Sequence, residues 1–200
     1  MMSGSRLAKR FVSSPNHRPR NEGERLQYVI LHGTWMADDA AAIRHLINPA
    51  TNVSCHYVIT HTGEVVQLVD EALVAFHAGK STWDGIDGLN GYSLGIEIGN
   101  AASFETPPTV ETEQHPDWAK AKPYLDVQYE AVIALLKDIM DRHPQIKPEH
   151  VLGHSEVSPG RKSDPGQHFD WGRLAAAGVA LARPLAGPLG GLGAGAGKTQ

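Results

Sequence analysis

The sequence predicts an α/β fold: a single domain with a central mixed β-sheet flanked by helices. Short apolar runs carrying β-branched and aromatic residues recur at residues 26–31, 56–60 and 93–98, where strands are expected. Stretches with apolar residues at helical spacing follow the first and third of these runs. No internal repeat is visible, so the alternation of strand and helix signals points to one layered α/β unit.

Taken in order, residues 1–22 form a basic extension ahead of the domain. They lack the continuous apolar run and small-residue cleavage site of a secretory signal, so a cytoplasmic start is expected. The run at 26–31 reads as a buried strand ending at His32-Gly33-Thr34. Asp38 or Asp39 then caps a helix through Ile43, Leu46 and Ile47, which Asn48-Pro49 stops. Residues 56–60 and 64–69 flank Thr62-Gly63 as a hairpin. Residues 79–91, rich in Gly, Asp and Asn, read as a long surface loop of the kind that carries function.

A strand at 93–98 follows, then a polar, Pro-containing insertion at 101–122. Val132, Leu135, Leu136 and Ile139 mark a helix over 127–142, and Val151-Leu152-Gly153 one more short strand ending at His154. The domain is expected to span 23–183. From residue 184 to 200 the chain is Gly-rich and lacks the residues that offset ordering entropy, so a flexible tail is expected.

Composition bounds the function. The 200 residues have a formal net charge of -4, with basic clustering only near the N-terminus, which argues against a nucleic-acid binder. No apolar stretch is long enough for a membrane span, and the lone Cys55 excludes an intrachain disulfide.

Two distant strands thus end in histidines, His32 and His154, and Asp164 follows the second by ten positions. Two His and one Asp suit an open, catalytic zinc site, which takes three protein ligands. Against this, the chain has 11 histidines, and such triples also arise from surface or core histidines. The stretch 151–166, VLGHSEVSPGRKSDPG, holds turn formers together with His154, Arg161, Lys162 and Asp164. Asp164 there either starts a turn or binds metal, and Arg161 and Lys162 are either a solvated pair or part of a site. Glu97 alternates with Leu94, Ile96 and Ile98, as a solvent-facing edge carboxylate or a partly desolvated base.

Five blocks in order, VILHGT at 29–34, SCHYVI at 54–59, AFHAGKS at 75–81, SLGIEI at 93–98 and GHSEVSPGRKSDPG at 153–166, resemble the zinc-dependent N-acetylmuramoyl-L-alanine amidases. This is the type-2 amidase family, which includes phage amidase lysozymes and peptidoglycan-recognition proteins. The resemblance implies their fold and runs from about Leu26 to Trp171. It implies Zn2+ as cofactor, with His32, His154 and Asp164 as ligands, Glu97 as general base and Lys162 facing the reacting carbonyl. It further implies that His77, Asn90 and Arg161 contact the substrate, whereas His56 is expected to make a structural hydrogen bond. The bond cleaved would join the lactyl group of N-acetylmuramic acid to L-alanine of the stem peptide. With Cys55 before His56, and Asp164 where phage enzymes have Cys, the chain falls closer to the AmpD and AmiD branch. Muropeptides, 1,6-anhydro forms among them, are the expected partners, in cytoplasmic wall recycling. The alternatives are a non-catalytic wall-binding module and a lytic amidase acting on polymeric wall.

Overall fold

The strand read at 26–31 is β3 (Tyr28–Gly33), and it lies parallel to β9 (Ser93–Ile98) with Tyr28 opposite Ser93 and His32 opposite Glu97. This pairing is the centre of a computed structural model that describes residues 3–100 and 123–183. The expected insertion at 101–122 and the tail from 184 lie outside the described residues.

Around that pair, β4 (Tyr57–Ile59) runs parallel to β9, and β10 (Val151–Gly153) parallel to β3. On the far side of β4, β5 (Val65–Gln67) closes the expected hairpin antiparallel, with Gly63 at φ 78° in its turn. β1 (Arg10–Phe11) adds a parallel edge to β5, giving the order β1-β5-β4-β9-β3-β10. The sheet is therefore mixed.

Side-chain alternation sorts its two faces. Val29 and Leu31 of β3, Leu94, Ile96 and Ile98 of β9, and Val151 of β10 join one apolar cluster. The helix α2 (Asp126–Arg142) fills it with Val132, Leu135, Leu136 and Ile139, the positions whose spacing marked a helix. Gln128 fastens its first turn, donating to the Gly99 carbonyl at 2.5 Å and the Thr60 carbonyl at 3.3 Å, just beyond β9 and β4. On the other face α1 (Asp39–Ile47), capped by Asp38 through Ala40 N–H, sets Ile43 and Leu46 against Val58, Val66 and Leu68. That opposite face of β3 and β9 also carries His32, Ser93, Gly95 and Glu97.

Several small elements are not visible in the sequence pattern. Within the expected extension, β2 (His17–Pro19) pairs antiparallel with β6 (Leu73–Ala75), and Ser5 N–H donates to the Tyr57 hydroxyl at 2.8 Å. The 79–91 loop contains a small hairpin of β7 (Thr82–Trp83) and β8 (Ile86–Asp87). Asp84 and Gly85 turn it with φ of 49° and 77°, the backbone that an Asp-Gly pair favours. His154, read as a strand end, is the first residue of a one-turn helix α3 (His154–Val157), and α4 (Trp171–Ala176) follows with Asp170 as its cap. No described helix is long and apolar enough to cross a membrane.

Candidate active site

Parallel strands bring their C-terminal ends to one edge, where loops gather side chains from distant parts of the chain. His32 stands one residue before the end of β3, Glu97 one before the end of β9, and His154 directly after β10. The 154–164 loop then folds back on itself: Ser155 N–H donates to the Asp164 carbonyl at 2.9 Å, and Arg161 and Lys162 N–H groups both donate to the Ser158 carbonyl at 3.1 Å. Asp164 is thereby returned to the side of His154. Tyr124 holds the next residue, its hydroxyl donating to the Pro165 carbonyl at 2.8 Å.

Three ligating atoms converge. His32 Nδ1 and His154 Nδ1 are 3.0 Å apart, and Asp164 Oδ2 lies 3.1 Å from the first and 3.0 Å from the second. All three residues are buried, and among the described residues they form a His-His-Asp group able to hold a metal ion. The fit rests on donor chemistry. His154 Nε2 lies 3.1 Å from the Ala78 carbonyl, which can only accept, and 3.4 Å from Arg161 Nη2, whose protons go to the closer oxygens of Ala78, Lys80 and Ser158, so Nε2 carries the ring proton and Nδ1 is left as a bare lone pair. A bare Nδ1 beside a carboxylate is an arrangement a cation satisfies.

Electrostatics agree with that picture. Burial, reinforced by His154, lowers the His32 pKa to about 4, so the ring is neutral at physiological pH. Asp164 is held well below the usual carboxylate range: burial opposes its charge, but contact with His154 and His32 outweighs that.

Glu97 sits beside this group on the neighbouring strand. Its Oε2 is buried without a hydrogen-bond partner. Burial, then the charge of Asp164, pushes its carboxyl up to about 8, while Lys162 pulls it back. Lys162 is partly exposed and close enough for its charge to act on both Glu97 and His32. A basic carboxylate, a cation and a metal-ligating group thus share one point at the sheet edge.

The residues expected to meet substrate are placed differently from one another. His77 is partly exposed, and its Nδ1 lies 3.0 Å from His32 Nε2. Asn90 accepts from the backbone N–H groups of His77 and Ala78 through Oδ1, at 3.1 and 2.7 Å. Arg161 donates to the carbonyls of Ala78 and Lys80, at 2.6 and 2.8 Å from Nη2, and to Ser158 Oγ at 2.7 Å. Asn90 and Arg161 thus hold the 77–80 segment against the site from two sides. His56 accepts from Gly95 N–H at 3.0 Å and donates to the Leu73 carbonyl at 3.2 Å, the structural role expected of it. The Ala78 carbonyl and Ser158 were not singled out in the sequence; a carbonyl carries no residue-type signal, and one serine in a turn-rich loop carries little.

A buried His-His-Asp group able to hold a metal ion, beside a desolvated carboxylate at the C-terminal edge of a largely parallel sheet, is an arrangement suited to metal-assisted hydrolysis. The model of the N-acetylmuramoyl-L-alanine amidase family matches residues 22–167, and the chain belongs to that family. It is similar to the 1,6-anhydro-N-acetylmuramyl-L-alanine amidase AmpD of Enterobacter cloacae, 32% identical over 82% of this chain and 87% of that protein. It is also similar to the N-acetylmuramoyl-L-alanine amidase AmiD of Escherichia coli, 34% identical over 78% of this chain but only 54% of AmiD, so it spans about half of that relative. The fold matches that of E. coli AmiD in complex with the substrate anhydro-N-acetylmuramic acid-L-Ala-D-γ-Glu-L-Lys, with a TM-score of 0.65 and 30% identity over 82% of this chain and 62% of that one. The protein is therefore a type-2 amidase of the AmpD/AmiD kind, with their mixed sheet and flanking helices.

Proposed function

We propose that this protein is a zinc-dependent N-acetylmuramoyl-L-alanine amidase that frees the stem peptide from muropeptides, 1,6-anhydro forms among them, in cytoplasmic recycling of wall fragments. The observation that carries the reading is the convergence of His32, His154 and Asp164 next to Glu97, with its unpartnered oxygen. Similarity to enzymes named for the anhydro substrate supports the substrate class.

Bound by His32, His154 and Asp164, zinc would supply Lewis acidity at the amide carbonyl and the attacking water. Two nitrogens and a carboxylate suit zinc among divalent ions. Glu97 takes the proton of the attacking water, a task for which its raised pKa fits it, and passes it to the leaving amine of L-alanine. Lys162 faces the carbonyl oxygen and stabilises the negative charge that develops there. His77 and the 77–80 segment held by Asn90 and Arg161 form one wall for the substrate. The guanidinium of Arg161 is assigned to a carboxylate of the stem peptide.

The test is mass spectrometry of a muropeptide mixture with anhydro and reducing ends, incubated with and without a chelator. Chelator-sensitive release of peptides with an L-alanine amino terminus is expected, with the anhydro pool consumed first. Faster release from polymeric wall would replace recycling by lysis, and no release from zinc-loaded protein would leave a binding module.

A further inference from the structure

We infer that His77 is a positioning residue for the metal site, which fixes the ring tautomer and orientation of His32 through a directed chain of hydrogen bonds; this rests on the metal reading of the His32 group. The direction of the chain is set at its far end. Ser93 Oγ lies 2.7 Å from the Leu89 carbonyl, which can only accept, so the serine proton points there. Ser93 Oγ must then accept at its other contact, His77 Nε2 at 3.3 Å, and His77 Nε2 carries its ring proton. His77 Nδ1 is consequently bare and accepts from His32 Nε2–H across 3.0 Å. With Nε2 protonated, the His32 lone pair is Nδ1, the atom that faces His154 and Asp164.

The fold makes room for this arrangement. A Cβ on Gly95 would run into the ring of His77, so the glycine of β9 lets that ring come close against the strand. His154 presents Nδ1 by a shorter route, its Nε2 facing the Ala78 carbonyl. The two ligand rings are thus oriented by different devices, one a backbone carbonyl and one a side-chain chain ending on a carbonyl.

The experiment measures zinc affinity by chelator competition, and His32 tautomer by long-range proton–nitrogen spectra of the metal-free protein. His77→Leu should weaken zinc binding about 10- to 100-fold and abolish the pure Nε2–H signature, with little change in the thermal transition of the metal-free protein. His77→Asn puts an amide oxygen where Nδ1 stood and should restore most of the affinity. Ser93→Ala, which leaves His77 without its directing acceptor, should give a smaller loss of the same sign. Zinc affinity in His77→Leu equal to that of the unaltered protein would overturn the inference alone. Failure of the unaltered protein to bind zinc would overturn the reading of the site and this inference with it. Tight zinc binding without amidase activity would refute the proposed reaction while leaving the role of His77 standing.

Discussion

Glu71 gives a quantitative test of the fold away from the site. It is only 1% exposed, and its carboxylate accepts from both terminal nitrogens of Arg142, from His143 Nε2 at 2.9 Å and from the Tyr57 hydroxyl at 2.5 Å. This network ties the C-terminal end of α2 to β4. Burial alone would raise the Glu71 pKa, but the hydrogen bonds from His143, Arg142 and Tyr57 outweigh it and bring it from 4.5 to about 2. At about 1.4 kcal/mol per tenfold change in proton affinity, the ionised carboxylate contributes on the order of 3 kcal/mol of stability. Because the folded pKa lies below the unfolded one, this contribution is present above about pH 4.5 and is lost as pH falls toward 2. Glu71→Gln keeps the shape and removes the charge, leaving Arg142 with Asp138 as its carboxylate partner among the described residues. Urea denaturation of both proteins across pH 7 to 3 should show the gap between them narrowing by about 2 kcal/mol on acidification. A gap that stays constant with pH would refute the assignment of that stability to the ionised network.

Other outcomes follow from the same geometry. Asp164→Ala should lose metal and turnover together, measured by metal analysis and peptide release, whereas Glu97→Ala should keep the metal and lose about 10²- to 10⁴-fold in kcat. Lys162→Ala should lower kcat about 10²- to 10³-fold with zinc content unchanged; a rise in KM alone would make it a binding residue instead. Leu136→Ala, in the middle of the α2 face, should cost about 2–5 kcal/mol in denaturant unfolding without altering zinc affinity.

How far the sequence could be read depended on where each signal resides. Alternation in β9 and the spacing of Val132, Leu135, Leu136 and Ile139 are local, so strand and helix were legible, as was the hairpin at Thr62-Gly63. Two-residue pairings such as β1 with β5 or β7 with β8 depend on partners elsewhere in the fold, and two residues carry no period to read. The grouping of His32, His154 and Asp164 was legible because each is chemistry-bearing and stands in a recognisable block. The direction of the bond between His32 and His77 was not, because it is decided at a backbone carbonyl, Leu89, that any residue could have supplied. In the sequence Arg161 reads as half of a solvated pair or as a substrate contact, and its contacts with the Ala78 and Lys80 carbonyls emerge only once the two loops meet.

His32 and Asp164 are 132 positions apart, yet their ligating atoms almost touch. An ion gripping both would close most of the chain into a loop, and its ligands meet where β3 and β10 have paired. Metal occupancy would then serve as a report on the assembly of that part of the sheet. At a zinc concentration 100 times its Kd, the ion would deepen the native state by about 2.7 kcal/mol, which makes the protein's lifetime depend on the supply of the metal it uses.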